Sequence, residues 1–151
     1  MEKIVAECGI KRDHSFLELG FGRGRCCFWL SQVVGCKVAG VERIGFFYKA
    51  AKIISKIFKT DNLKLVCQDM LEFNIEGFDF IYMYGSSWDD SVILKLAEKF
   101  KRASKEMKII TISYPLSDYD KAFVTLKKFE VSFPWGKTFC FLNGVFLPLK
   151  G

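Results

Sequence analysis

Glu18-Leu19-Gly20-Phe21-Gly22-Arg23-Gly24 sets an acid and three alternate glycines at the end of an apolar run. Glycines at every second position let backbone come close to a ligand, and a helix opening after them offers unpaired N–H groups. Such a loop grips a nucleotide-like group. Its details discriminate among nucleotides. A dinucleotide fingerprint reads G-x-G-x-x-G, but after Gly20 and Gly22 the residue required to be glycine is Arg25, and Gly24 comes one position early. NAD is therefore disfavoured. Glu18 would repel a pyrophosphate and can accept hydrogen bonds from an ammonium group, which favours a zwitterionic ligand with an amino-acid tail.

Two further acids fall at comparable places. Glu42 ends an apolar stretch 22 residues after Gly20, close to the ~20-residue spacing at which a carboxylate accepts both hydroxyls of a ribose. Gln68-Asp69-Met70 follows the next strand-like run. An acid or amide there can accept from an adenine amino group while Met70 packs on the ring. Taken singly, the loop is equally well a tight turn and Glu42 a surface glutamate at a strand end. Ligands of open α/β sheets sit at the carboxyl ends of strands, so the agreement of three successive ends is more specific than any one.

The elements that must hold these residues alternate along the chain without a linker or repeat. A short helix is expected over Glu2–Cys8, stopped by Gly9. Strands are expected at Ser15–Leu19, Lys37–Val41 with Glu42 at its end, Leu63–Cys67, Phe78–Tyr84 and Lys108–Ser113. Helices are expected from about Arg25 to Val34, over Gly45–Lys59, from near Asp89 to Ala103, and weakly around Tyr119–Leu126. On Gly45–Lys59 the cations fall at 49, 52, 56 and 59, while Phe46, Ala50, Ile53, Ile54 and Ile57 fill the other side, an ordinary amphipathic helix. Phe129–Phe133 and Thr138–Leu142 form a hairpin about Pro134-Trp135-Gly136-Lys137. The expected fold is α/β: a Rossmann-like, doubly wound sheet of seven strands, mostly parallel, with a C-terminal antiparallel hairpin. One domain spans 1–151.

Composition bounds the chemistry. Half of the 151 residues are hydrophobic, enough for one well-filled core. The apolar stretches are strand-sized, so no membrane insertion is expected. The N-terminus carries acids where a secretory signal carries a basic patch, and six cysteines without C-x-x-C read as free thiols. Together these make a cytoplasmic chain the expectation. His14 is the only histidine, which argues against a His-based zinc site and any Ser-His-Asp hydrolase; no metal is expected. The net charge of +6 favours an acidic partner such as RNA.

Through Glu18–Gly24, Val41-Glu42 and Gln68-Asp69 the chain resembles the class I S-adenosylmethionine-dependent methyltransferases over nearly its whole length. Tyr82-Met83-Tyr84-Gly85 and Ile112-Ser113-Tyr114-Pro115 are similar to the small lysine methyltransferases of that class, relatives of the ATP-synthase c-subunit and histone-type enzymes. The resemblance implies S-adenosyl-L-methionine as cofactor. Glu18, Gly20, Gly22 and Gly24 would hold its methionine part, Glu42 its ribose and Asp69 its adenine, with Phe21, Arg43, Gln68 and Met70 beside them. It departs from the base-amine methylases, whose Asn/Asp-Pro-Pro-aromatic turn is here Tyr84-Gly85-Ser86-Ser87-Trp88. With little chain beyond the sheet to enclose a substrate, the acceptor is expected to be a macromolecule, a protein lysine first. An RNA methyltransferase or a non-catalytic cofactor-binding subunit is the alternative. Tyr84 and Tyr114 are candidate walls for the acceptor amine and Ser86 a candidate hydrogen-bond acceptor, although aromatic packing in a chain with 16 phenylalanines explains both tyrosines equally well. Trp88 and Trp135 are candidates for an acceptor groove, or a capping and a hairpin tryptophan.

Overall fold

Five apolar runs become parallel strands because each is short, rich in branched residues and followed by a helix or long connection. The computed structural model describes residues 1–103 and 106–146. The parallel strands are Ser15–Leu19 (β1), Lys37–Glu42 (β2), Leu63–Cys67 (β3), Phe80–Met83 (β4) and Lys108–Ile112 (β5). Phe123–Phe133 (β6) and Gly136–Val145 (β7) form an antiparallel hairpin, and the sheet order is β3-β2-β1-β4-β5-β7-β6. The strand order reverses between β1 and β4, so a crevice opens at the carboxyl ends of the central strands.

Alternation along β1 assigns its side chains to two cores. Phe16 joins Ile4, Cys27, Leu30 and Val38 on one face, while Leu17 and Leu19 join Ile93, Leu96 and Phe100 on the other. The first face is covered by Glu2–Cys8 (α1), Arg25–Trp29 (α2) and Gly45–Ile57 (α3), the second by Asp90–Arg102 (α4). Beyond Trp29 the second helix widens into a π turn over Leu30–Val34. Asn62 Nδ2 donates to the Ser31 and Cys36 carbonyls, both at 2.8 Å, and so satisfies acceptors at that helix end.

The two longest helices differ in what they bury. Both have 13 residues, yet α4 buries Ile93, Leu96, Ala97 and Phe100 whereas α3 buries only Ala51. The expected inward set of Phe46, Ala50, Ile53, Ile54 and Ile57 instead lies exposed. Periodicity reveals that a stripe exists, but the sheet receives Ala51 and Tyr48 from the opposite side.

The expected helix around Tyr119–Leu126 is absent. A short 3-10 turn covers Leu116–Asp118, and Asp120 then closes the next turn, its Oδ1 accepting from Ala122 N at 2.8 Å and its Oδ2 meeting Lys101 at 2.6 Å. This local capture of backbone by a carboxylate competes with helix, and β6 starts at Phe123. The hairpin is accordingly longer than expected, with a register shift between Thr125 and Lys127. Its last rung, Phe133 opposite Gly136, leaves Pro134-Trp135 as a two-residue tip. Asn143 secures the hairpin to the sheet. Fully buried, it donates from Nδ2 to the Ile109 carbonyl and Thr111 Oγ1, each at 3.0 Å, and accepts from Leu116 N at 3.0 Å. No helix among the described residues is long and apolar enough to cross a membrane.

Candidate functional site

At the carboxyl ends of β1, β2 and β3 lies a cavity of about 380 Å³, within the ~300–1,000 Å³ of small-molecule sites. Gly20, Glu42, Arg43, Gln68, Asp69 and Met70 line it, six of the ten residues expected to contact a cofactor. The loop after β1 folds back on β2. Gly20, Gly22 and Gly24 adopt left-handed φ values of 71°, 53° and 74°, which a side chain would strain. The Gly20 and Phe21 N–H groups both donate to the Val41 carbonyl, at 2.8 and 3.2 Å.

Glu42 is the organising carboxylate. Only 8% exposed, it accepts from Gly22 N through Oε2 and from Ile44 N through Oε1, both at 2.8 Å. Each oxygen keeps a second lone pair for a ligand hydroxyl. Asp69 Oδ1 accepts from Leu71 N at 2.9 Å, and Oδ2 lies 3.6 Å from Arg43 Nη1. Lys99 of α4 donates to the Leu71 carbonyl at 2.7 Å. Its burial lowers its pKa, and its contact fixes the loop that carries Asp69.

The other four expected cofactor residues shape the site from beneath. Glu18 points into the α2 side of the sheet and is 6% exposed. Its Oε2 accepts from Cys27 N at 3.1 Å and from the Cys27 thiol at 2.9 Å. Burial pushes its pKa up to about 7, against the lowering effect of those bonds. Phe21 turns inward, so that a Cβ on Gly40 would stand 2.7 Å from its ring. Gly22 meets Glu42, and Gly24, capping α2, lies against Phe28.

Ser87, Trp88, Asp89, Val92 and Ile44 also line the cavity. The Trp88 indole abuts two glycines: a Cβ on Gly20 would come within 2.9 Å of it and one on Gly85 within 2.5 Å. Sequence offered Trp88 as a groove or cap residue, and only the fold places it as a cavity wall. The glycine flanking it, Gly85, is the one available signal.

The acceptor candidates are placed apart. Tyr84 joins the hairpin tip, its ring 5.5 Å from Phe133 and 6.3 Å from Trp135, while Phe133 and Trp135 stack at 5.3 Å and 5°. Tyr114 meets Tyr119 edge-on at 5.4 Å. Its hydroxyl is buried without a hydrogen-bond partner among the described residues, and a Cβ on Gly85 would stand 2.8 Å from it. Burial raises its pKa. Ser86 is exposed on the loop between them.

This topology, with its glycine loop and its crevice, is the seven-strand fold of the class I S-adenosylmethionine-dependent methyltransferases. A mutant of MtNAS in complex with S-adenosylmethionine superposes with a TM-score of 0.81 at 16% identity, over 97% of this chain and 60% of that one. An RNA methyltransferase from Salinibacter ruber, bound to S-adenosyl-L-homocysteine, gives 0.77 at 16% identity, over 99% and 93%. In sequence, the H3 lysine-79-specific histone-lysine N-methyltransferase of Dictyostelium discoideum is 28% identical over 118 residues, covering 68% of this chain. The chain spans only 6% of that relative's length. No protein-family model matches.

Proposed function

We propose that the chain is an S-adenosylmethionine-dependent methyltransferase whose acceptor is a lysine amine of a protein. The observation that carries the reading is the cavity in which Gly20, Glu42 and Asp69 converge from three successive strand ends. The donor set fits the cofactor: an acid with lone pairs to spare for a ribose, an acid for an exocyclic amine, a thioether and an indole for flat apolar surface. Glu18 departs from expectation in the same reading, because Cys27 already occupies one of its oxygens. It supports the loop from below, and the ammonium contact passes to backbone around Gly20 and Gly22.

When bound, S-adenosylmethionine supplies a methyl group on a positively charged sulfur, ready for in-line displacement. The protein then has to align and to exclude water, effects that supply about 7–11 kcal/mol in well-oriented reactions. A lysine, with a reference pKa of ~10.4, must also lose a proton to become nucleophilic. Tyr84, Phe133 and Trp135 present aromatic surface that desolvates the amine and lowers its pKa. Ser86 and the unpartnered Tyr114 hydroxyl are the polar groups near the same loop. The Dictyostelium relative, a histone-lysine methyltransferase, supports the protein acceptor. The net charge of +6 and the Salinibacter ruber neighbour favour RNA as the second reading.

Calorimetric titration with S-adenosylmethionine and with NAD tests the cofactor: binding of the first alone is expected, and binding of neither overturns the reading. Incubation with methyl-labelled cofactor and nuclease-treated protein extract tests the acceptor, with methyl-lysine expected after hydrolysis. Label confined to RNA would move the assignment to the second reading. Cofactor binding without transfer to either acceptor would indicate a non-catalytic subunit.

A further inference from the structure

The outward face of α3 is the largest concentration of exposed apolar side chains on one described element. Phe46 is 76% exposed, Ile53 61% and Ile57 69%, and Phe58 at the helix end is 68% exposed. A soluble surface rarely keeps so many large apolar groups together. On a helix turning roughly 100° per residue, Phe46, Ala50, Ile53 and Ile57 fall on one line, while Tyr48, Ala51 and Ser55 fall on the opposite side. Those three are the half-buried and buried residues, so the apolar line points straight away from the sheet.

Charge follows the same geometry. Lys49, Lys52 and Lys56 run along one flank of the line, and Lys59 stands just beyond the helix. No acid lies within α3. Among the described residues, no carboxylate forms an ion pair with any of the four lysines. The helix therefore offers an apolar stripe and an uncompensated cationic row side by side.

We infer that α3 is a membrane-surface anchor that lies flat on an anionic lipid bilayer, with the stripe of Phe46, Ile53 and Ile57 below the phosphates and the lysine row among them. A basic amphipathic helix with large apolar residues on one face is built for that boundary. Lysine stems cover apolar surface while their ammonium groups reach the headgroups. A second copy docked stripe to stripe would set two uncompensated lysine rows against each other. An RNA would neutralise the lysines and leave the phenylalanine and isoleucines in water. With 13 residues, α3 is short of the ~20 needed to cross a bilayer, so it rests on one surface. The chain enters α3 from Glu42, Arg43 and Ile44, which line the cavity, so anchoring presents the cavity mouth close to the bilayer. The inference stands independently of the cofactor reading.

Co-sedimentation of the purified chain with vesicles tests it. Binding is expected to vesicles of phosphatidylserine and phosphatidylcholine, and to be at least about ten-fold weaker to phosphatidylcholine alone. Replacing Lys49, Lys52 and Lys56 together by Gln should weaken binding about a hundred-fold, at about five-fold per lysine near an anionic surface. The combined Phe46→Ser, Ile53→Ser and Ile57→Ser variant removes exposed side chains, so its thermal midpoint should hold while vesicle binding falls at least about ten-fold. Failure of the wild-type chain to sediment overturns the inference, as does full binding by the serine variant. Concentration-dependent dimers that ignore vesicles would assign the stripe to a second copy instead. Binding to an RNA oligonucleotide that the lysine variant abolishes, without vesicle binding, would assign the row to nucleic acid.

Discussion

The two halves of the candidate site are built differently. On the donor side, β1 to β3, hydrogen bonds link one strand end to the next: Val41 holds Gly20 and Phe21, Glu42 holds Gly22 and Ile44, and Gln68 N donates to the Glu42 carbonyl at 3.2 Å. On the proposed acceptor side, β4, β5 and the hairpin tip, ring contacts join Tyr84 to the tip and Tyr114 to Tyr119. Ser113 N donates to the Phe139 carbonyl at 2.8 Å and Thr111 Oγ1 to the Tyr114 carbonyl, and the Tyr114 hydroxyl has no partner among the described residues. A cofactor of fixed shape rewards a preformed cradle. Under the proposed function, the aromatic surface at the hairpin tip would accommodate an acceptor whose surroundings vary, and recognition of constancy and of variety would fall to separate strands.

Four measurements break or sharpen that contrast. The largest effect belongs to Glu18, beneath the donor loop. Its pKa of about 7 lies above the reference of ~4.3, so between those values the folded state holds more protons than the unfolded one. Stability contributed by the neutral carboxyl is then complete at low pH and declines as pH rises through that window, by on the order of 3 kcal/mol. Glu18→Gln should flatten the decline in thermal midpoints, and an unaltered profile would place the titration elsewhere. Next comes Glu42→Ala, expected to lose about 1–3 kcal/mol of S-adenosylmethionine affinity by calorimetry, with acceptor binding retained. An equal loss on both sides would erase the division.

Trp135→Ala should lower kcat/KM for a protein acceptor about ten-fold, the scale of an aromatic anchor, while the cofactor Kd stays constant. A changed Kd would show that the tip serves the donor side. The smallest effect is expected from Tyr114→Phe, which removes a buried hydroxyl without a partner and should raise stability by about 1 kcal/mol in denaturant melts. A drop in kcat with that gain would mark the hydroxyl as a contact of the acceptor. A drop in stability would reveal a partner for it.

The lining of the cavity at β1 to β3 was legible because strand ends are one-dimensional features. A run of apolar residues followed by glycine or an acid locates Gly20, Glu42 and Asp69 without knowledge of what packs above them. Glu18 shows where that logic stops. The alternation of β1 sends its side chain toward α2, where Cys27 meets it. The place of Trp88 as a cavity wall needs the fold, because it depends on Gly20 and Gly85, 65 residues apart in sequence, both abutting one indole. The direction of α3 was equally hidden. Periodicity fixes which residues share a side, not which side meets the sheet, and there Ala51 and Tyr48 face inward while the stripe faces out. The start of the hairpin was missed because Asp120 turns the chain and the shift at Thr125 breaks the alternation of two.

Asn143 has an evolutionary corollary. By binding β5, Thr111 and the Leu116 amide far from Pro134-Trp135, it makes the registration of the ribbon independent of its apex. Descendants of this scaffold are free to rewrite that apex without disturbing the strand ends that line the cavity.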